Sequence, residues 1–169
     1  VTTSDAGAGV GYTGIRVRGT DATRVNVTVN GIPFNDAESQ GVYWVNMPDI
    51  SSSTDDIQIQ RGIGASTTGA SAFGASVNLS TLSTVNAVKP YGEISNSYGS
   101  FNTLKNTIKL GTGLIDGKWN FEGRLSRLSS DGFIDRASSD LNSYYLSGSY
   151  LGEKTSIQAV AFSGHEVTY

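Results

Sequence analysis

The feature that most constrains this chain is an alternation of apolar and polar residues along its second half. It is clearest over Trp119–Ser126, where Trp, Phe, Gly and Leu alternate with Asn, Glu, Arg and Ser. Successive side chains of a β-strand point to opposite faces, so this period predicts strands with one apolar and one polar face. Turn residues divide the region into segments at about 91–100, 103–112, 117–128, 143–151 and 155–164. The pattern predicts an antiparallel up-and-down sheet of about five strands, or of four if the first pair is poorly formed.

Alternation alone leaves two classes of protein open. A transmembrane barrel places its apolar face against lipid and its polar face toward the lumen. A soluble antiparallel sheet with one face on a core shows the same pattern. Tyrosines such as Tyr98, Tyr144 and Tyr150 suit the aromatic girdles of a membrane barrel. No run approaches the roughly 18 apolar residues of a membrane-spanning helix, which does not exclude strands that cross a membrane.

The first half of the chain carries shorter signals, typical of a compact mixed domain. Arg24–Val29 alternates Val with polar residues and runs into Asn30-Gly31, a dipeptide typical of tight hairpin turns. Pro33 then restricts the following strand to a sheet edge. Asp56–Arg61 alternates Ile with Gln and ends at a glycine, as a half-buried strand does.

Three further segments belong to this first half. Val1–Tyr12 is rich in small residues, has no periodicity, and is expected to be a loop. Ile15–Gly19 alternates and is expected to be a short strand with both arginines on one face. Small residues between Gly62 and Gly74 permit close backbone packing before a strand at Val77–Ser80. Because the composition changes beyond this strand, a boundary between two architectures is expected near residue 82.

Charge and residue usage exclude several functions. A net charge of −3 and a pI near 5.0 argue against a nucleic-acid binder, which needs a clustered basic face. The chain has no cysteine and one histidine, His165, beside Glu166. A metal site needs three or four ligands, and a serine nucleophile needs a partner histidine and carboxylate at suitable spacing. We therefore expect no enzyme activity, no metal and no cofactor.

Several of these motifs together resemble the plug domain of TonB-dependent outer-membrane receptors. They are Ile15–Gly19, Arg24–Pro33 with Asn35-Asp36, Arg61-Gly62, the Gly69–Gly74 segment and Val77–Leu79. In that family an Arg-Gly segment precedes a Val-rich strand with an Asp-Gly-x-Pro turn, and a second Arg-Gly precedes a small-residue run. Asn30 stands where the family commonly has Asp, and it fits the same turn chemistry. The resemblance covers residues 10 to 82 by motif and the remainder by strand pattern.

The resemblance implies a β-rich fold, an α+β plug segment followed by antiparallel up-and-down strands of an incomplete transmembrane β-barrel. Residues 1–82 would be the C-terminal part of the plug, and residues 83–169 the first strands of a barrel that closes with about 22. The implied function is a receptor in the outer membrane of a Gram-negative cell, importing a scarce nutrient such as a ferric siderophore while the plug gates the barrel. The implied partners are a small-molecule or metal-chelate ligand, outer-membrane lipid, and a TonB-type energy-coupling protein that binds a segment upstream of this chain.

The resemblance also implies a role for two arginines. Arg18 and Arg61 match plug arginines that pair with acidic residues on the inner barrel wall, so they are expected to latch the plug. A buried guanidinium needs such a carboxylate to offset its desolvation. The alternative is that both are exposed arginines at strand ends, without a partner.

The segment from Phe34 to Asp49 is the candidate ligand-facing loop. In the family such loops point toward the extracellular side, which implies that Asn35, Asp36, Tyr43 and Trp44 can meet an incoming ligand. The alternative for the two aromatic residues is that they pack the plug against the barrel wall or its own sheet, and we favour this interpretation. For the whole chain, the alternative is a secreted or surface-associated all-β binding or adhesion module with no transport role.

Overall fold

The computed structural model describes residues 2–4, 13–62, 73–81 and 88–168. Within these residues the strands form a two-stranded, a four-stranded and a five-stranded sheet. We call the described residues up to 81 the N-terminal domain, and the five-stranded sheet over residues 91–168 the meander sheet. The predicted boundary between residues 82 and 83 lies outside the described residues, as does most of the small-residue segment between Gly62 and Gly74.

The described chain begins with a short antiparallel pair. β1 (Thr2–Ser4) pairs with β2 (Thr13–Ile15). The prediction of a loop over Val1–Tyr12 is therefore wrong at Thr2–Ser4, since a polar segment without apolar period still pairs through its backbone. Residues 5–12 lie outside the described part of the chain.

A turn replaces the second half of the strand predicted over Ile15–Gly19. Arg18 and Gly19 have φ of 52° and 77°, in the left-handed region that a regular strand does not use. The Thr20 N–H donates to the Val17 carbonyl at 3.0 Å and closes the turn. The strand prediction is therefore wrong beyond residue 15.

The sheet of the N-terminal domain has the order β4-β3-β6-β5. Its strands are β3 (Val25–Val29), β4 (Ile32–Pro33), β5 (Asp56–Arg61) and β6 (Ala75–Ser80). β3 and β6 pair in parallel at the centre, and the two edge strands join them antiparallel. Asn30 and Gly31 have φ of 54° and 80° and connect β3 to β4, which confirms the predicted tight turn.

The core of the N-terminal domain lies on one face of this sheet. Its buried residues come from the two central strands and from Met47: Val25, Val27, Val29, Ala75, Val77 and Leu79. Three short 3-10 helices occur among the described residues of this domain, at Ala22–Arg24, Trp44–Asn46 and Ile50–Ser53. The last two flank Met47, and their residues Trp44 and Ile50 pack against the core.

The meander sheet contains five antiparallel strands in chain order. They are β7 (Tyr91–Gly99), β8 (Thr103–Gly111), β9 (Trp119–Ser130), β10 (Ser139–Leu151) and β11 (Ser156–Thr168). Each strand pairs with the next, which confirms the predicted up-and-down arrangement. β10 begins earlier than predicted and β11 ends later, because residues 139–142, in a segment whose composition is typical of a loop, pair with the end of β9 and with residues 165–168 of β11.

The two faces of the meander sheet differ in polarity and in covering. On β9, Leu125 is 63% exposed on the outer face, whereas its neighbour Arg124 is 2% exposed on the inner face. The N-terminal domain covers part of the inner face, and there the rings of Phe34 and Phe162 lie 6.2 Å apart. No helix among the described residues is long and apolar enough to cross a membrane.

Candidate functional site

The candidate site is the interface between the N-terminal domain and the inner face of the meander sheet. At its centre, strand register places small residues side by side: Thr107, Ser126, Ser143 and Gly164. Pro48 packs onto this surface so closely that a Cβ on Gly164 would overlap its Cγ. The absence of a side chain at position 164 therefore permits the close approach of the two parts.

Asp49, the residue after this proline, reaches into a cluster of bases on the sheet. Its carboxylate accepts from Lys105 Nζ at 2.7 Å on Oδ1 and from Arg124 Nη1 at 2.7 Å on Oδ2. The Ser126 hydroxyl donates to Oδ2, and the Ser52 hydroxyl donates to Oδ1 at 2.8 Å. The side chain of Asp49 is only 5% exposed. One carboxylate thus joins the N-terminal domain to two neighbouring strands.

The backbone conformation of Asp49 aims its side chain into this cluster. Its φ of 55° and ψ of 30° lie in the left-handed region, which Asp and Asn tolerate better than most residues. The residue precedes the 3-10 helix Ile50–Ser53, and the Ser52 N–H donates to the Asp49 carbonyl at 3.1 Å. The local turn therefore fixes the position of the Asp49 carboxylate, and side chains of the sheet then donate hydrogen bonds to it.

Burial and hydrogen bonding act in opposite directions on the pKa of the Asp49 carboxyl. Burial alone raises the pKa of this carboxyl, but the hydrogen bonds from Lys105, Ser126 and Ser52 outweigh burial and lower the pKa below its ordinary value. Asp49 is therefore a carboxylate at neutral pH. Because Arg124 has a side chain only 1% exposed, this carboxylate compensates a base that is almost completely desolvated.

A second ionic contact lies beside the first, because Lys109 of β8 is directly opposite Arg124 in the sheet. Lys109 Nζ is 3.4 Å from Glu122 on the same sheet and 4.0 Å from Asp55 of the N-terminal domain. The Tyr91 hydroxyl donates to the other oxygen of Glu122. Lys109 is thus shared between a carboxylate of each part of the chain, and this contact is looser than the one around Asp49.

A third contact is made by uncharged groups. Tyr145 is completely buried, and its hydroxyl donates to Thr81 Oγ1 at 2.8 Å. The Thr81 N–H donates to Asn30 Oδ1 at 2.8 Å, and Asn30 Nδ2 donates to Thr81 Oγ1 at 2.9 Å. The hairpin turn of the N-terminal domain is thus linked to β10 through Thr81, the residue that follows β6.

Sequence reasoning missed the acids and bases of this interface. The three bases stand at the polar positions of alternating strands, and this was the signal in the sequence that they face inward: Lys105, Lys109 and Arg124. Nothing local marks Asp49 as their partner, because it lies more than fifty residues upstream in a segment without period. The contact depends on how the two parts pack together.

The structure brings the two predicted latch arginines together. Arg18 and Arg61 are exposed and line one cavity of about 700 Å³, whose apolar lining includes Ile57 and Ile59 of β5. The ion pairs within residues 2–4, 13–62, 73–81 and 88–168 include neither arginine. Their pairing with acids of a barrel wall stays a prediction.

The predicted ligand loop divides into structural and exposed residues. Asn35 binds the backbone of β3, accepting from the Val27 N–H at 2.7 Å and donating to the Val25 carbonyl at 2.9 Å. Asp36 accepts from the Ser39 N–H at 2.7 Å, and this bond lowers the pKa of its carboxyl.

The two aromatic residues of this loop lie in different surroundings. Trp44 packs against the core of the N-terminal domain. Tyr43 is 56% exposed. Tyr43 is therefore the loop aromatic that is available to a ligand, and ligand contact by any of the four residues stays a prediction.

Comparison with known proteins places this interface in a family. Residues 1–76 match the model of the TonB-dependent Receptor Plug Domain. The chain is similar to the ferripyoverdine receptor of the outer membrane of Pseudomonas aeruginosa bound to ferripyoverdine, with 17% identity and a TM-score of 0.70 over 90% of this chain. It is similar to the copper transporter OprC, with 13% identity and a TM-score of 0.74 over 99% of this chain. It is also similar to the ferric yersiniabactin uptake receptor FyuA from Yersinia pestis, with 18% identity and a TM-score of 0.65 over 92% of this chain.

These matches concern one part of much longer proteins. The chain covers 20%, 26% and 25% of the three solved chains, respectively. No curated protein sequence matches significantly. Residues 1–76 are a plug domain of the TonB-dependent receptor family, and residues 88–168 share the fold of the corresponding strands in the solved receptors.

Proposed function

We propose that this chain is the plug end and the barrel opening of an outer-membrane receptor that imports a scarce nutrient. The supporting observation is the meander sheet, whose exposed outer face is mostly apolar and whose polar inner face contacts the plug through buried charges. In water such a sheet exposes apolar surface and unpaired edges, whereas in a bilayer the same face meets lipid. The Asp49 cluster keeps the plug inside the lumen, which is the position that gating requires.

The substrate we propose is a metal chelate of the ferric siderophore class. Two of the solved structures with this fold are described as a ferripyoverdine receptor and a ferric yersiniabactin uptake receptor. Tyr43 supplies an exposed aromatic surface for such a ligand. The energy for import comes from a TonB-type coupling protein.

We also propose that Arg18 and Arg61 bind a part of the barrel wall that lies outside the meander sheet. Arg18 and Arg61 lie at the rim of an apolar cavity and expose their charges beside Ile57 and Ile59. A wall strand with an apolar patch and a carboxylate complements that surface. We place the partners of both arginines on barrel strands other than β7 to β11.

Transport is tested with the complete receptor in cells that take their iron from ferric chelates. Deletion of the receptor gene should abolish growth on the cognate chelate and binding of the labelled chelate to isolated outer membranes, and the wild-type gene should restore both. Unchanged growth and binding across a panel of ferric chelates overturn the substrate proposal. Recovery of the protein in the aqueous fraction without detergent overturns the receptor proposal and supports a secreted or surface-associated binding module.

A further inference from the structure

The contacts that hold the plug to the meander sheet are unevenly distributed over its five strands. The ion pairs of Asp49 and Asp55 reach β8 and β9, the hydrogen bond of Thr81 reaches β10, and the ring of Phe34 meets β11. Within residues 2–4, 13–62, 73–81 and 88–168, no hydrogen bond or ion pair joins the plug to β7. The plug is therefore fastened to four strands of the wall, and the fifth has no polar contact with it.

The inner face of β7 is polar and open. Glu93, Ser95 and Ser97 lie on this face, and all three are exposed. On β10, by contrast, the inner-face residues Ser143 and Ser147 are 7% and 8% exposed. A further barrel strand would pair with the edge of β7 and lie beside its inner face, not over it. The opening is therefore a space between β7 and the plug.

This space is a cavity of about 230 Å³, which we call the β7 crevice. Strand β8 forms its second side with Lys105, Thr107 and Lys109, and Ser52 lines it from the plug. The described residues around the cavity are all polar. A polar space of this volume holds water, because water satisfies the donors and acceptors that protein groups leave open.

The charges that border the β7 crevice compensate one another. Glu93 is directly opposite Lys109 in the strand register. Lys105 Nζ donates to Asp49 Oδ1 and to Ser52 Oγ, both at 2.7 Å. Each of the two bases thus has an acid beside it. The crevice therefore suits hydrophilic solutes and does not select strongly for one sign of charge.

The crevice is also the place where plug and wall separate most easily. Separation at β9 would break the buried pair of Asp49 and Arg124, and separation at β10 would break the hydrogen bond between Thr81 and Tyr145. A buried polar group that loses its partner without gaining water is strongly unfavourable. At β7 the facing groups of the wall are already exposed, so separation there leaves no group unsatisfied.

We propose that the β7 crevice is the aqueous route by which the imported solute passes the plug. The crevice widens as the plug turns away from β7, while the contacts at β9 and β10 hold its other side. Ser95 and Ser97 line the wall side of this route, and Ser52 lines the plug side. The proposal rests on the proposed transport function, and it assigns the passage to one pair of strands.

The first test measures water access in the complete receptor, purified in detergent, with one cysteine introduced at a time into a cysteine-free background. Ser95→Cys should react with a charged, membrane-impermeant methanethiosulfonate at least tenfold faster than Ser143→Cys. Both positions lie on the inner face and begin as serine, but Ser143 belongs to the surface on which Pro48 packs. Equal rates, or a faster reaction at position 143, overturn the proposal.

The second test blocks the route in energised cells. Ser95→Cys is modified with a maleimide that carries a short polyethylene glycol chain, and the extent of modification is read from the mass of the protein. Uptake of the labelled ferric chelate that supports growth should fall at least fivefold, while the Kd for its binding stays unchanged, because binding precedes passage.

Gln158→Cys is the matched control for the block. Gln158 is also exposed on the inner face, but it lies on β11, outside the crevice. The same modification there should leave uptake unchanged, and equal uptake by the two modified variants overturns the proposed route. Failure of the receptor proposal is distinguishable, because the unmodified wild type would then neither bind nor import the chelate.

Discussion

Asp49 of the plug and Arg124 of β9 form an ion pair of 2.7 Å in which both side chains are almost completely buried. The carboxylate belongs to the plug and the base belongs to the sheet. The prediction for Arg18 and Arg61 was the reverse, with the bases on the plug and the acids on the barrel wall. The described sector of the barrel thus holds the plug by an acid that reaches outward from it.

Replacing Asp49 by Asn should loosen the plug in the complete receptor. The change leaves Arg124 buried without a compensating charge, and breaking a buried pair in this way costs about 3–5 kcal/mol. We expect a lower Tm of the plug transition and a larger ion conductance in planar bilayers.

Asp116→Asn is the matched control for this change. Asp116 has a φ of 50°, close to that of Asp49, but it lies exposed in the turn before β9. It should leave both the Tm and the conductance unchanged. Equal behaviour of the two variants would show that the ion pair does not hold the plug.

The docking of the plug should weaken in acid. Because the pKa of folded Asp49 is lowered below 3.8, its contribution to stability is fully present above that value. The contribution is lost as the pH falls through the lowered pKa of the folded state. Protection of the plug against an acid-active protease should therefore decline below about pH 4. The amide side chain of the Asp49→Asn variant cannot titrate, so the profile of this variant should be flatter, and parallel profiles would contradict the assignment.

Replacing Gly164 by Ala should displace the plug without changing any charge. The added methyl group overlaps the Pro48 ring and meets the Asn142 carbonyl at 2.9 Å, so backbone or ring must move. Overpacking of this kind costs about 1–3 kcal/mol. Gly99→Ala is the control, since its methyl group would meet only Thr103 Cβ, at 3.7 Å. We expect faster hydrogen exchange around Pro48 in the first variant alone.

Replacing both Arg18 and Arg61 by Ala should alter nutrient uptake or pore leakage, if these residues latch the plug to another part of the barrel wall. Arg136→Ala is a suitable control, because Arg136 is exposed in the loop between β9 and β10. Unchanged uptake and a tight pore in the double variant would identify both residues as exposed arginines without a partner.

Local chemistry made much of the fold predictable from the sequence. The period of two predicted the meander strands because their two faces meet different surroundings. Asn30-Gly31 predicted its turn because both positions take positive φ. The start of β10 and the end of β11 were not predictable in this way, since residues 139–142 extend the ladder through backbone pairing that their side chains do not signal.

The ion pairs of the interface could not be predicted from the sequence in the same way. Asp49, Lys105 and Arg124 meet only after two separate parts of the chain have packed together. The sequence motifs directed attention to Arg18 and Arg61, which belong to turns and strand ends with recognisable glycine chemistry. An acid in an aperiodic segment has no comparable local signature.

The arrangement around Asp49 has a consequence for the charge of this sector of the wall. While the plug is docked, its carboxylate balances Lys105 and Arg124. The same face of the meander sheet carries three acids for its three bases, at positions 93, 122 and 166, so its own charges sum to zero. Loss of Asp49 would therefore leave a local positive site beside acids, not a uniformly positive wall. The carboxylate of the plug is thus a local counter-ion of the wall.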